Sequence, residues 1–304
     1  MLRPAVPPSL PPGSRVALIA PAGPVGGGKD LEIAEANVRS LGWVPVVGRH
    51  ALECTGYLAG SDADRLEDLR WALESPDVAG VWCLRGGYGV MRLLRHLDWD
   101  TIARRPRPLL GYSDVTALLS ALVARAGTGG YHAPVARAPL SSFSAFSLKR
   151  ATTERADPCG AFHGNGTTLR GGSAEGWLMA GNLALLAALA GTPYLPNLAG
   201  AILVVEDVGE ATYRVDRMLQ QLQLSGALQG IRGLLAGRFT ECPDQVDGNG
   251  DGQLFGLLLE VAEELGVPCA MGAPVGHIDD QWTLPIGARA AFDASACTLN
   301  VELV

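Results

Sequence analysis

Lysine is nearly missing. Only Lys29 and Lys149 occur in 304 residues, and arginine supplies almost all the positive charge. With 24 basic and 31 acidic side chains the formal net charge is −7, and no stretch forms a basic stripe. Nucleic acid is therefore not an expected partner. Paired cysteine motifs are absent too. Cys54, Cys83, Cys159, Cys242, Cys269 and Cys297 are scattered with no C-x-x-C pair, so metal-site spacing is missing. Cys83 and Cys269 lie in apolar, strand-like runs and read as buried thiols. No apolar run is long enough to span a bilayer. The proline-rich start, MLRPAVPPSLPPGSR, has no apolar core of signal-peptide length. The expectation is a soluble cytoplasmic protein that uses no metal and no cofactor.

Apolar residues make up 48% of the chain and charged residues 18%, ample for packed cores. The length suggests two domains. Short apolar runs at 16–20, 43–47, 78–84 and 108–110 read as strands. Helical spacing appears at 30–41, 62–74, 90–97 and 115–126. Strands alternating with helices imply an α/β fold, a parallel sheet covered on both faces. Ligands of such sheets bind at the carboxyl ends of the strands, where RGGYG (85–89) and GYSD (111–114) fall. From about 136 to 177 the periodicity loosens among Ser, Thr, Gly and Pro, which reads as a linker. Beyond it lie a helix near 183–190, a strand at 201–205 leading to Glu206, and a helix at 213–224. A strand at 231–236, a helix at 253–265 and a strand at 267–270 follow, with β-hairpin alternation from 282 onward. The boundaries drawn are 1–150 for the first domain, 151–176 for the linker and 177–304 for the second.

Two glycine-rich matches read as turns. Residues 23–29 fit G-x-x-x-x-G-K, but Asp30 stands where a phosphate loop needs Ser or Thr for magnesium. The run Asp247-Gly-Asn249-Gly-Asp251-Gly252 begins like a calcium loop, but its twelfth position is Leu258 instead of a bidentate Glu.

The stretch LLGYSDVTALL (109–119) poses the main question. Ser before an apolar-periodic run is the usual helix cap. The other reading is a nucleophile on a strand-to-helix turn, with the amide of Asp114 aimed at an oxyanion. A nucleophilic serine needs a base and an orienting acid. Of five histidines, His50 and His96 read as solvated surface, and His163 lies in the loose stretch. His132 could line a site, and His277 follows a Pro-Val-Gly turn that would present it. Glu206 ends an apolar strand, where a carboxylate needs a partner. That partner is either the base or an arginine such as Arg214 or Arg217. Chemistry alone leaves Ser113, Glu206 and His277 as a reasonable set.

Six stretches in one order resemble the LD-carboxypeptidase family of serine peptidases, the muramoyltetrapeptide carboxypeptidases. They are GYLAGSDADR (56–65), RGGYG (85–89), LLGYSDVTAL (109–118), GNLALLAALAGTPYLP (181–196), ILVVEDVGEATYRVDRML (202–219) and PVGHIDDQWTLPIGARA (274–290). The resemblance implies a flavodoxin-like N-terminal domain carrying Ser113 and a smaller β-rich α/β C-terminal domain carrying Glu206 and His277. It places the site between them. It implies an oxyanion hole from the amides of Asp114 and Gly87, with Arg85, Gly86 and Tyr112 facing substrate. It also implies a homodimer that releases terminal D-alanine from murein tetrapeptides, a small peptide substrate of peptidoglycan recycling. Relatives that hydrolyse microcin C-type peptidyl-nucleotides share the triad and form the alternative. A non-catalytic murein-peptide binder is a further one. Two departures bear on substrate detail: Ala22, where the family often has Ser, and His132-Ala133-Pro134, where His-Gly-Pro is common.

Overall fold

The computed structural model describes residues 3–162, 166–242 and 250–303. His163 and positions 247–249 of the calcium-like run lie outside the described residues.

The alternating pattern of the first half builds β1 (Arg15–Ile19), α1 (Gly28–Ser40), β2 (Val44–Val47), α2 (Asp62–Glu74), β3 (Gly80–Cys83), α3 (Trp99–Arg104), β4 (Leu109–Gly111), α4 (Thr116–Ala121), β5 (Tyr131–His132) and α5 (Ser142–Lys149). Helix α2 has the predicted bounds because Ser61 and Asp64 form a reciprocal capping box. The helix predicted at 90–97 is instead two 3₁₀ turns, Val90–Arg92 and Leu94–His96. Gly89 at φ 128° opens this segment and Asp98 caps α3. Extended backbone at Leu97 (φ −86°, ψ 143°) ends the segment and separates it from α3.

The second half adds β6 (Gly160–Ala161), β7 (Thr167–Arg170), β8 (Ser173–Asn182), α6 (Leu183–Leu189), β9 (Ala201–Val208), α7 (Thr212–Leu224), β10 (Gly233–Thr240), α8 (Gly250–Leu265), β11 (Cys269–Met271), β12 (Leu284–Pro285), β13 (Arg289–Asp293) and β14 (Thr298–Glu302). The stretch read as a linker thus holds β6, β7 and the start of β8. Its periodicity is weak because β6 and β7 are short edge strands with little buried surface.

Two sheets result. The first has the order β12-β5-β4-β3-β1-β2, and its strands β1 to β5 are parallel in the flavodoxin-like order 2-1-3-4-5. The second runs β6-β14-β13-β8-β9-β10-β11-β7, with β8 to β11 parallel and the flanking strands antiparallel. Among the described residues no helix is long and apolar enough to cross a membrane.

The two halves interlock. Every residue of α4 is buried. Its apolar sequence on all sides follows from its position between the first sheet and α6, and Leu118, Leu119 and Leu122 share one core with Leu186 and Leu189. The amide of Asn182 donates to Thr116 Oγ1 at 3.0 Å, tying the end of β8 to the start of α4. Strand β12, from the C-terminal part, pairs antiparallel with β5 and closes the first sheet. Gly129 makes that closure possible: a Cβ there would stand 1.8 Å from the Ile286 carbonyl oxygen. The substitution Gly129→Ala should therefore destabilise the protein by about 2 kcal/mol, the size of a core overpacking defect. Thermal or urea unfolding checks this, and an unchanged midpoint would refute the closure argument.

Candidate active site

Ser113 follows β4 by two residues, at the carboxyl edge of the first sheet. It stands at φ 61°, in the left-handed region that a residue with a side chain rarely enters. It opens the 3₁₀ turn Ser113–Val115, yet Tyr112 holds the capping position of that turn and Val115 that of α4. The expected helix cap is therefore not what Ser113 provides: its left-handed backbone places it inside the turn, not ahead of it. Strain of this kind costs on the order of 1–3 kcal/mol and persists only where surroundings hold it.

The RGGYG loop supplies those surroundings. Gly86 is buried against the serine, and a Cβ there would lie 2.7 Å from Ser113 Cβ and 2.9 Å from its Oγ. The Gly86 carbonyl accepts the Gly23 amide at 2.9 Å, so the loops after β1 and β3 meet where the strand order reverses. Gly87 is exposed at φ 109° beside Gly23. Arg85 donates to the Pro24 carbonyl, which ties its loop to the one after β1. Asp114 turns its buried carboxylate to the Val90 amide at 2.9 Å, fastening the Ser113 turn to the segment after RGGYG.

Glu206 lies within β9, register partner of Asn182, and its side chain has no exposed surface. Its Oε2 is 2.8 Å from His277 Nδ1. Of the alternatives, Arg214 pairs with Glu210 and Arg217 lies over the Tyr213 ring. His277, in the loop after β11, is 22% exposed, so one face of the imidazole stays open. Gly276 before it has φ 123°, and a Cβ there would meet Glu206 Oε2 at 3.1 Å and the Arg238 carbonyl at 2.9 Å. The Tyr112 ring packs on His277 with centroids 4.8 Å apart, bringing the imidazole beside the residue preceding Ser113. Neighbouring Asp207 accepts from Asn182 Nδ2 and from the amides of Ala184 and Val208, while burial pushes its carboxyl up to about 6.

Three groups of side chains escaped sequence reading. Ser144 of α5 accepts the Gln281 amide at 2.8 Å and donates to the Asp279 carbonyl at 2.8 Å. Ser147, one turn on, accepts the Thr283 amide at 2.8 Å. These buried hydroxyls hold the segment that follows His277. Their spacing of three was a signal, inside a stretch whose serines read as linker. Arg137 is the second miss. Its guanidinium lies 3.3 Å from Asp30 and acts electrostatically on Tyr112, a cation on the same sheet edge. Thr116, the bridge to Asn182, is the third.

The remaining expectations sort plainly. His96 is exposed; His50 sits half-buried between Asp64 and Glu67, not freely solvated. His132 is fully buried, its ring edge-on to Tyr112 with centroids 5.9 Å apart. Asp30 folds back on its own loop, where the Gly26 amide and then Arg137 hold its carboxyl below the usual range. The glycine-rich run at 23–29 is thus a turn closed by its own acid.

Two outcomes follow. Gly86→Ala should lower labelling of Ser113 by a fluorophosphonate at least about a hundred-fold, the usual penalty for misplacing a reacting atom by an ångström. Mass spectrometry of the labelled serine reads this, and wild-type labelling would refute the close approach. Burial pushes the Asp114 carboxyl up to about 6. An unfolded Asp titrates near ~3.9, so the folded state disfavours the charged form. Stability is then fullest below about pH 4 and declines as pH rises through about 6. Asp114→Asn keeps an acceptor for Val90 and carries no charge. It should exceed the wild type by about 3 kcal/mol at pH 8 and match it near pH 4. Urea unfolding at both pH values measures the gap, and an equal gap at both would refute the assignment.

The fold agrees with comparisons to known proteins. Residues 16–133 match the LD-carboxypeptidase N-terminal domain and residues 175–292 the LD-carboxypeptidase C-terminal domain. The murein tetrapeptide carboxypeptidase of Pseudomonas aeruginosa is 39% identical, over 92% of this chain and 94% of its own. The crystal structure of muramoyltetrapeptide carboxypeptidase from Oxalobacter formigenes superposes with a TM-score of 0.79 at 30% identity, covering 95% of this chain and 98% of that one. The structure of MccF in complex with glutamyl sulfamoyl guanosine gives a TM-score of 0.86 at 21% identity, covering 98% of each chain, a likeness of fold. The Escherichia coli microcin C7 self-immunity protein MccF is 24% identical over 78% of this chain and 77% of its own. With both of its domains matched in order and a relative at 39% identity, the chain belongs to the LD-carboxypeptidase family of peptidases.

Proposed function

We propose that the protein is a serine-type L,D-carboxypeptidase that releases terminal D-alanine from murein tetrapeptides. The observation that carries this reading is the buried Glu206 carboxylate 2.8 Å from the partly open His277 imidazole, joined through the Tyr112 ring to a serine held in left-handed backbone. His277 Nε2 takes the Ser113 proton while Glu206 fixes the Nδ1–H tautomer and stabilises the imidazolium. Ser113 Oγ then bonds to the carbonyl carbon of the L-centre that precedes D-alanine. The amides of Asp114 and Gly87 hold the oxyanion, each donor contributing roughly 3 kcal/mol to the transition state. Collapse of the intermediate breaks the C–N bond, and His277 passes its proton to the leaving amine. Water, deprotonated by His277, cleaves the acyl-enzyme and restores Ser113.

Small groups and cations divide the substrate contacts. Gly86 leaves room for the acyl carbonyl beside Ser113, and Tyr112 forms a wall next to His277. Arg85 fixes its loop through Pro24, so Arg137 joins it as a cation for a substrate carboxylate. The same reading carries a cytoplasmic location and a homodimer. The likeness in fold to MccF keeps peptidyl-nucleotide hydrolysis as the second reading, and the name of the 39% identical relative favours murein peptides.

Product analysis decides. Incubation with a panel of tetra- and pentapeptides, read by mass spectrometry, should show loss of one D-alanine from tetrapeptides only. Ser113→Ala should reduce the rate by about a thousand-fold or more. Turnover of an aminoacyl-sulfamoyl adenylate in place of tetrapeptide would establish the second reading, and full activity of Ser113→Ala would overturn both.

A further inference from the structure

Behind the Glu206–His277 pair lies a histidine with no assigned task. His132 ends β5, register partner of Gly111 in β4 on one side and of Leu284 in β12 on the other. It has no exposed surface. Neither ring nitrogen has a hydrogen-bond partner among the described residues, and the same holds for the outer oxygen Oε1 of Glu206. Leaving one such buried group unpaired is unfavourable by roughly 1–3 kcal/mol. Here a donor and an acceptor are both orphaned, and each bears electrostatically on the other. Buried polar groups of this kind are ordinarily satisfied by an enclosed water. The ring row is continuous as well: His132 packs edge-on to Tyr112 at 5.9 Å, and Tyr112 packs on His277 at 4.8 Å.

We propose that His132 is a positioning residue for the Glu206–His277 pair, linked to Glu206 Oε1 through one enclosed water and to the His277 ring through Tyr112. The water accepts an N–H of His132 and donates to Oε1. That bond fixes the carboxylate so that Oε2 faces His277 Nδ1. Burial holds His132 down to about 4, so it is neutral at physiological pH and adds no second positive charge beside the imidazolium that forms on His277. The other groups bearing on the cluster are Glu206 from β9, His277 from the loop after β11, Tyr112 from the end of β4 and Arg137 from the segment after β5. The inference rests on the triad reading above.

Two substitutions separate the hydrogen bond from the packing. His132→Phe keeps an aromatic ring against Tyr112 and removes both nitrogens, so it should still fold, with a melting temperature lowered by a few degrees because Glu206 Oε1 loses its partner. Its kcat should fall about ten-fold with KM nearly unchanged, the size of one hydrogen bond to a charged group. Without that bond the Glu206 charge is balanced by His277 alone. The acid limb of the kcat–pH profile should then move up by about one unit. His132→Asn or His132→Gln, which restores an N–H, should recover most of the rate and return the limb. A readout independent of substrate is the low-field proton resonance of the His277–Glu206 hydrogen bond, which should move downfield in His132→Phe. Wild-type kcat, pH limb and resonance in His132→Phe would overturn the proposal. So would equal losses in the Phe, Asn and Gln variants, which would leave packing as the only role. If the wild type fails to cleave tetrapeptides, the substrate reading falls while the resonance still tests His132.

Discussion

A carboxylate with no exposed surface must find a partner, and Glu206 finds His277. Much of the second half of the chain serves that one contact. The register of β9 against β8 sets Glu206 beside Asn182, and Asn182 in turn meets Thr116 at the head of α4. Gly276 has no side chain to displace the carboxylate. Two serines of α5 then hold the backbone that follows His277. Breaking a buried pair strands a charge in a low-dielectric interior, so these supports act together. Ser113 is held by an equivalent principle with different means. Strain at Ser113 is confined by a backbone approach from Gly86 that only glycine permits, and by the Asp114 carboxylate reaching the segment beyond it.

The parts of this arrangement that sequence makes legible are those with local signals. Apolar runs flanked by turns marked β1, β3, β4 and β9, because strands buried on both faces need no alternation. Helical spacing at 62–74 marked α2, which the structure begins with a capping box at Ser61 and Asp64. Ser113, Glu206 and His277 could be nominated because each breaks a local pattern: a polar pair after an apolar strand, an acid inside one, a histidine after a Pro-Val-Gly turn. Resemblance joined them; spacing alone did not.

What sequence hid depends on partners far along the chain. Ser144 and Ser147 satisfy amides more than a hundred residues away, and nothing in SSFSAFS names those amides. Arg214 and Arg217 were plausible partners for Glu206 by proximity in sequence, yet helix α7 directs them elsewhere. Strand β12 is two residues long, too short for any periodicity, and its place in the first sheet follows from tertiary pairing with β5. The edge strands β6 and β7 looked like linker because their residues face solvent on most sides.

The insertion of β12 into the first sheet also orders events in time. During synthesis the strands that present Ser113 emerge early, but the sheet gains its last strand only after residues 284–285 have been made, downstream of both Glu206 and His277. Pairing across such a long loop is slow to form and comes late on the folding path. A nascent or truncated chain therefore lacks the last strand of the sheet that presents Ser113. Cooperativity between the two halves of the chain is built in by topology, so the first sheet is complete only once the segments bearing Glu206 and His277 have been made.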